Sequence, residues 1–99
     1  MNDAPELFIA CLGERAQKKV FGWVNDLRNA DIWVEVEYAS KSLKAQMKKA
    51  DRLGARLALI VGDDEIESGK SVLRDMNTKE QREMELDNLV ENLKREIEG

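Results

Sequence analysis

The sequence predicts an α/β domain with one mixed five-stranded sheet flanked by three helices, in the order β-α-β-α-β-β-β-α. Three observations predict it. Short apolar runs alternate with segments of helical periodicity through the first 62 residues, which implies parallel strands joined by right-handed crossovers. Two short strand-like runs then flank a polar loop, the mark of an antiparallel hairpin. A last amphipathic segment closes the chain.

Each element follows from its residues. "ELFIACL" (Glu6 to Leu12) is an apolar run bounded by Pro5 and Gly13, as in a buried strand. From Glu14, the residues Ala16, Val20, Trp23, Val24 and Leu27 fall at helical spacing, and Asn29 and Asp31 allow a reversal near Ala30. "IWVEVEY" alternates, with Ile32, Val34, Val36 and Tyr38 on one face and Trp33, Glu35 and Glu37 on the other, which suits an edge strand. Ser40 or Ser42 caps a second helix whose stripe is Leu43, Met47, Ala50 and Leu53, with Gly54 placed to stop it. "ARLALIVG" (Ala55 to Gly62) is nearly all apolar, as a central parallel strand requires. "KSVLRDM" and "QREMEL" form the hairpin around Asn77, Thr78, Lys79 and Glu80. In the final helix Leu86, Leu89, Val90, Leu93 and Ile97 keep helical spacing, with Asp87 as the expected N-cap.

Composition narrows the function. A chain of 99 residues is one domain, and 42% hydrophobic with 36% charged residues describes a folded one. No apolar run approaches the roughly 20 residues of a membrane span, and "MNDAPELFI" lacks the basic start of a secretory signal. The single cysteine, Cys11, excludes an internal disulfide and suits a reducing, cytoplasmic location. There is no histidine, so the commonest general base and metal ligand is missing and hydrolase chemistry is disfavoured. Net charge is -4, against indiscriminate binding to nucleic acid. Yet Lys41, Lys44, Lys48, Lys49, Arg52 and Arg56 face only one acid, Asp51, in the same stretch. A negative partner can be held there.

"GKS" at Gly69 to Ser71 ends like a phosphate-binding loop, but Asp64 stands where the first glycine is needed. A strand rather than a helix follows, and Asp63, Asp64, Glu65 and Glu67 in the preceding acidic turn repel phosphate. The same acids lack the spacing of a known metal loop, so no metal is expected. A receiver-like signalling domain fails because only Glu14, beyond Gly13, follows the first strand.

"YASKSLKAQMKKADRLGARLALIVGDDEIESGKSVLRDMNTKEQ" resembles the C-terminal anticodon-binding domain of histidyl-tRNA synthetases. The carrying pieces are Lys-Ser-Leu-Lys-x-Gln-Met, Asp-x-Leu-Gly-Ala, Gly-x-x-Glu after the central strand, Gly-Lys, and Asp-Met-x-Thr-x-Glu-Gln in the hairpin. Their order and spacing make the resemblance specific, and it extends from Pro5 onward. It implies the class II synthetase anticodon-binding fold over residues 6–99, with residues 1–5 as a tether. Lys79 departs from it, since relatives often carry glycine there.

The resemblance implies tRNA as partner, read at the histidine anticodon loop, and a non-catalytic role for the domain itself. The parent would be an ATP-dependent histidine-tRNA ligase in protein biosynthesis, homodimeric, whose catalytic domain precedes this one. No cofactor is expected in the domain, and no membrane. Glu65 and Arg74 match an acid and a base that threonine enzymes use on anticodon bases. Lys41, Ser42, Gln46 and Tyr38 are expected to line the same end, Tyr38 as a stacking surface. Lys44 and Lys48 are the phosphate candidates. The bland readings are a Glu65–Arg74 surface ion pair and a merely solvated basic helix face. The alternative function is a protein interaction or dimerisation module built on the same fold.

Overall fold

The computed structural model describes residues 3–39 and 41–99. Met1 and Asn2 of the expected tether, and Ser40 as an alternative cap, lie outside the described residues. The elements are β1 (Leu7–Leu12), α1 (Glu14–Asn29), β2 (Val34–Val36), α2 (Leu43–Leu53), β3 (Leu57–Gly62), α3 (Asp63–Ser68), β4 (Lys70–Asp75), β5 (Gln81–Glu85) and α4 (Leu89–Glu98). One sheet has the order β2-β1-β3-β4-β5, with the first three strands parallel and the last two pairings antiparallel. The expected mixed five-stranded sheet is present, with one more short helix than the sequence predicts.

Strand periodicity divides the core into two layers. Leu7, Ile9 and Cys11 of β1 and Leu57, Leu59 and Val61 of β3 face α1 and α4, joined by Val20, Val24, Leu27 and Leu93. Phe8, Ala10 and Ala58 face the other way, against Ala50, Met47 and Leu53 of α2. The residues opposite Ala58 and Ile60 on β4 are Arg74 and Val72, so these too lie on the α2 side. There the outer strands carry Lys70, Val72, Arg74, Gln81, Glu83 and Glu85, all exposed or half-buried. The sheet therefore keeps one open flank beside α2.

Local chemistry sets the boundaries. Ser42 Oγ accepts the Ala45 N–H at 3.1 Å and starts α2; Gly54, left-handed at φ 73, ends it. The acidic turn is the helix α3, because Glu65 Oε1 reaches back to the Gly62 N–H at 2.7 Å. Gly69 (φ 80) terminates that helix, so Gly-Lys-Ser begins a strand. β2 is shorter than the alternation predicts. Trp33 is 42% exposed, and its Nε1 donates to Glu35 Oε2 at 2.9 Å.

Asp87 is not the cap of α4. Asn88 precedes the helix in the left-handed region, which asparagine tolerates, and so turns Leu89 into the core. The hairpin loop runs from residue 76 to 80, one longer than expected; Met76 still donates its N–H to the Arg56 carbonyl at 3.0 Å and buries its side chain against α2.

Candidate functional site

The basic stripe and the open sheet flank meet in a groove of ≈ 260 Å³ lined by Lys44, Met47, Lys48, Asp51, Arg74, Met76 and Lys79. Helical spacing puts Lys44 and Lys48 on one rim. The register that sets Arg74 opposite Ala58 puts its guanidinium on the sheet side, and the hairpin loop brings Lys79 to the far rim. Four cations thus surround a space that holds one carboxylate, within a chain of net charge -4. Arg74 is half-buried. Its Nη1 donates to Gln81 Oε1 at 3.1 Å, and its Nε is buried without a partner among the described residues. A buried donor left unpaired carries a cost.

Glu65 stands apart from that groove. Arg74 is level with Ala58, and Gly62 lies four residues further along β3, about 13 Å away at strand rise. No Glu65–Arg74 ion pair exists among the described residues, which removes the bland reading of the two as a surface pair. Glu65 sits at the C-terminal ends of the parallel strands. Because α2 runs back antiparallel to them, its N-cap Ser42 and the preceding Lys41 lie at that same end, exposed.

Two expected contacts are placed differently. Gln46 is 1% exposed. Its Nε2 donates to the carbonyls of Cys11 (2.9 Å) and Lys41 (3.0 Å), and its Oε1 accepts the Cys11 N–H (3.0 Å). Both amide protons are used, so Gln46 ties β1 to α2 and has no donor left for a ligand. Tyr38 falls on the α1 side of the sheet, away from Arg74. Its ring lies 6.4 Å from that of Phe21, and its carbonyl accepts from Gln17 Nε2 at 3.1 Å.

Two of the remaining bases, Lys49 and Arg56, have other duties. Lys49 Nζ lies 3.3 Å from Glu37 Oε1, and that hydrogen bond, with one from the Ala39 N–H, holds the Glu37 carboxyl below its ordinary range. Arg56 donates to the Ile97 and Glu96 carbonyls at the end of α4. Burial pushes the Cys11 thiol up, which leaves it a small apolar residue of the core. Asp51 and Met76 were not picked out from sequence, because only the return of the hairpin onto α2 brings them to the groove.

A family model described as an anticodon binding domain matches residues 6–96. The chain belongs to that family. A histidine–tRNA ligase of Acetivibrio thermocellus is 49% identical over 90 residues, which are 91% of this chain and 22% of that protein. This anticodon-binding domain therefore spans under a quarter of the length of that relative. The apo histidyl-tRNA synthetase of S. aureus superposes with a TM-score of 0.85 at 37% identity, over 93% of this chain and 27% of that one. The RNA binding domain of threonyl-tRNA synthetase from Cryptosporidium parvum shares the fold, with a TM-score of 0.75 at 18% identity over 89% of this chain and 22% of that one. Among the described residues of the anticodon-binding domain, no helix is long and apolar enough to cross a membrane.

Proposed function

We propose that the chain recognises tRNA at its anticodon loop on behalf of a histidyl-tRNA synthetase, and takes no part in the chemistry of aminoacylation. The observation that carries this reading is the convergence of Arg74, Lys44 and Lys48 on one open groove beside an otherwise acidic surface. An unpaired loop can splay its bases onto protein side chains, whereas a paired A-form helix hides their edges. Arg74 offers a guanidinium to base acceptors, and Lys44 and Lys48 neutralise flanking phosphates, which position the loop without specifying it. Glu65 has one carboxylate oxygen tied to Gly62 and offers the other, at the strand ends, to base N–H groups, with Lys41 and Ser42 at the same end of the sheet. Gln46 acts only by bracing that end, and Tyr38 lies on the wrong face to stack on the same bases. The ATP-dependent ligation of histidine belongs to a catalytic domain elsewhere in a homodimeric parent.

The test is an NMR titration of the labelled domain with an RNA hairpin bearing the histidine anticodon, beside a scrambled-loop hairpin at equal salt. The reading expects shifts at Arg74 and Glu65 with the cognate loop alone, and at Lys44 and Lys48 with both. Shifts confined to α2 with either RNA would reduce the domain to a generic phosphate binder. Silence with both, at concentrations that detect weak binding, would end the reading and turn attention to an interaction module.

A further inference from the structure

Lys79 carries a positive φ of 67°, a left-handed conformation that a residue with a Cβ adopts at a cost and glycine adopts freely. Its backbone N–H donates to the Asp75 carbonyl at 2.8 Å, so the turn needs the conformation but not the side chain. The side chain crosses to α2, where Nζ lies 3.7 Å from Asp51 Oδ1. Both partners are exposed, at 50% and 73%, and an exposed pair at that distance adds little to stability. Fold stability therefore does not account for a lysine at this position. What the lysine does supply is a cation that reaches over the groove from the hairpin loop, in one lining with Lys44, Lys48 and Arg74.

We propose that Lys79 is the opposing wall of a phosphodiester grip. An RNA backbone runs along the groove between α2 and the hairpin loop, and one phosphate replaces Asp51 as the partner of Lys79. Asp51 is the positioning residue: without RNA it holds the lysine over the groove, and as the only acid there it disfavours a phosphate at its own end. This rests on the anticodon-loop reading above and adds the path of the backbone to it.

Lys79→Gly is the informative variant, because it relieves the backbone while removing the charge. Its melting temperature should equal or exceed that of the parent. Its affinity for the anticodon hairpin should fall about fivefold at low salt, and the slope of log affinity against log salt should shrink by about 0.7, one phosphate contact on a single strand. Lys79→Arg should keep both affinity and slope. The loss should be equal for the scrambled-loop hairpin, because a phosphate contact is blind to sequence. Unchanged affinity and slope in Lys79→Gly, with the parent still binding, would overturn the grip and leave the anticodon reading standing. A loss confined to the anticodon loop would overturn the phosphate assignment and make Lys79 a base reader. Failure of the parent chain to bind either hairpin would sink both.

Discussion

The side-chain amide of Gln46 completes β1 where its neighbour strand stops: Oε1 accepts the Cys11 N–H at 3.0 Å and Nε2 returns a bond to the Cys11 carbonyl at 2.9 Å. The last pairing of β1 with β2 is Ile9 with Val36. Cys11 is two residues on and points its peptide groups to the same edge, so the glutamine stands in for a strand that is no longer there. Gln46→Leu keeps the volume and removes the bonds, leaving a buried N–H and C=O unpaired. We expect a loss of about 3 kcal/mol in urea unfolding. RNA affinity measured on the folded fraction should be unchanged, and a selective loss of binding without loss of stability would restore Gln46 to the interface.

A second long-range bond starts α1. Its N-cap is Gly13, which has no side chain to offer, and Asp63 of α3 accepts the Ala16 N–H at 3.1 Å instead. The carboxylate fills the place a Cβ would need: a methyl group on Gly13 would stand 2.5 Å from both Asp63 oxygens, on a backbone with φ 102. Asp63→Ala should cost about 1 kcal/mol, as for other lost caps. Gly13→Ala should cost more, about 2 kcal/mol or above, because strain and the displaced cap act together. Thermal melts of the two single variants and the double variant test the link. A shared carboxylate predicts a double-variant cost below the sum of the two singles.

These bonds mark the limit of what the sequence discloses. β1, β3, α1 and α2 were legible because each carries an apolar pattern of its own, and Ser42 and Gly54 punctuate α2 by local chemistry. α3 was not, because six residues with four carboxylates hold no apolar period. It forms through Glu65 turning back to Gly62. Gln46 lies three residues after Leu43 and four before Ala50, inside the apolar stripe by spacing. Only the strand end it serves explains a polar side chain there. In the site, Lys44 and Lys48 could be paired by their spacing alone. Placing Arg74 beside them needed the register of β4 on β3, and placing Tyr38, two residues beyond β2, needed the knowledge that α1 and its Phe21 cover that face of the sheet.

Arg56, the last base of the run that begins at Lys41, should prove structural. Its Nη1 donates to the Ile97 carbonyl at 2.9 Å and its Nη2 to the Glu96 carbonyl at 3.3 Å, where the final turn of α4 has no intrahelical donors left. Arg56→Ala should cost about 1 kcal/mol and speed amide exchange in the last turn of α4 ahead of the rest of the domain. Affinity for the anticodon hairpin and its salt slope should match the parent. A smaller slope would place Arg56 among the phosphate contacts instead.

Asp75 makes the hairpin loop sensitive to acid. Its Oδ1 accepts the Thr78 N–H at 3.0 Å and the Asn77 N–H at 2.8 Å, and these bonds hold its carboxyl below the ordinary aspartate value of 3.8. Because the folded value is the lower one, the charged carboxylate stabilises the fold in full above the ordinary value. That contribution is lost as pH falls through the folded value. Asp75→Ala removes the acceptor at every pH. Melting temperatures of parent and variant should therefore differ most near neutrality and converge as the pH falls below the ordinary carboxylate range. Glu37 titrates in the same direction in both proteins, so the difference between them isolates Asp75. A gap that stayed constant through the acid range would mean that the protonated carboxyl caps the loop as well as the charged one.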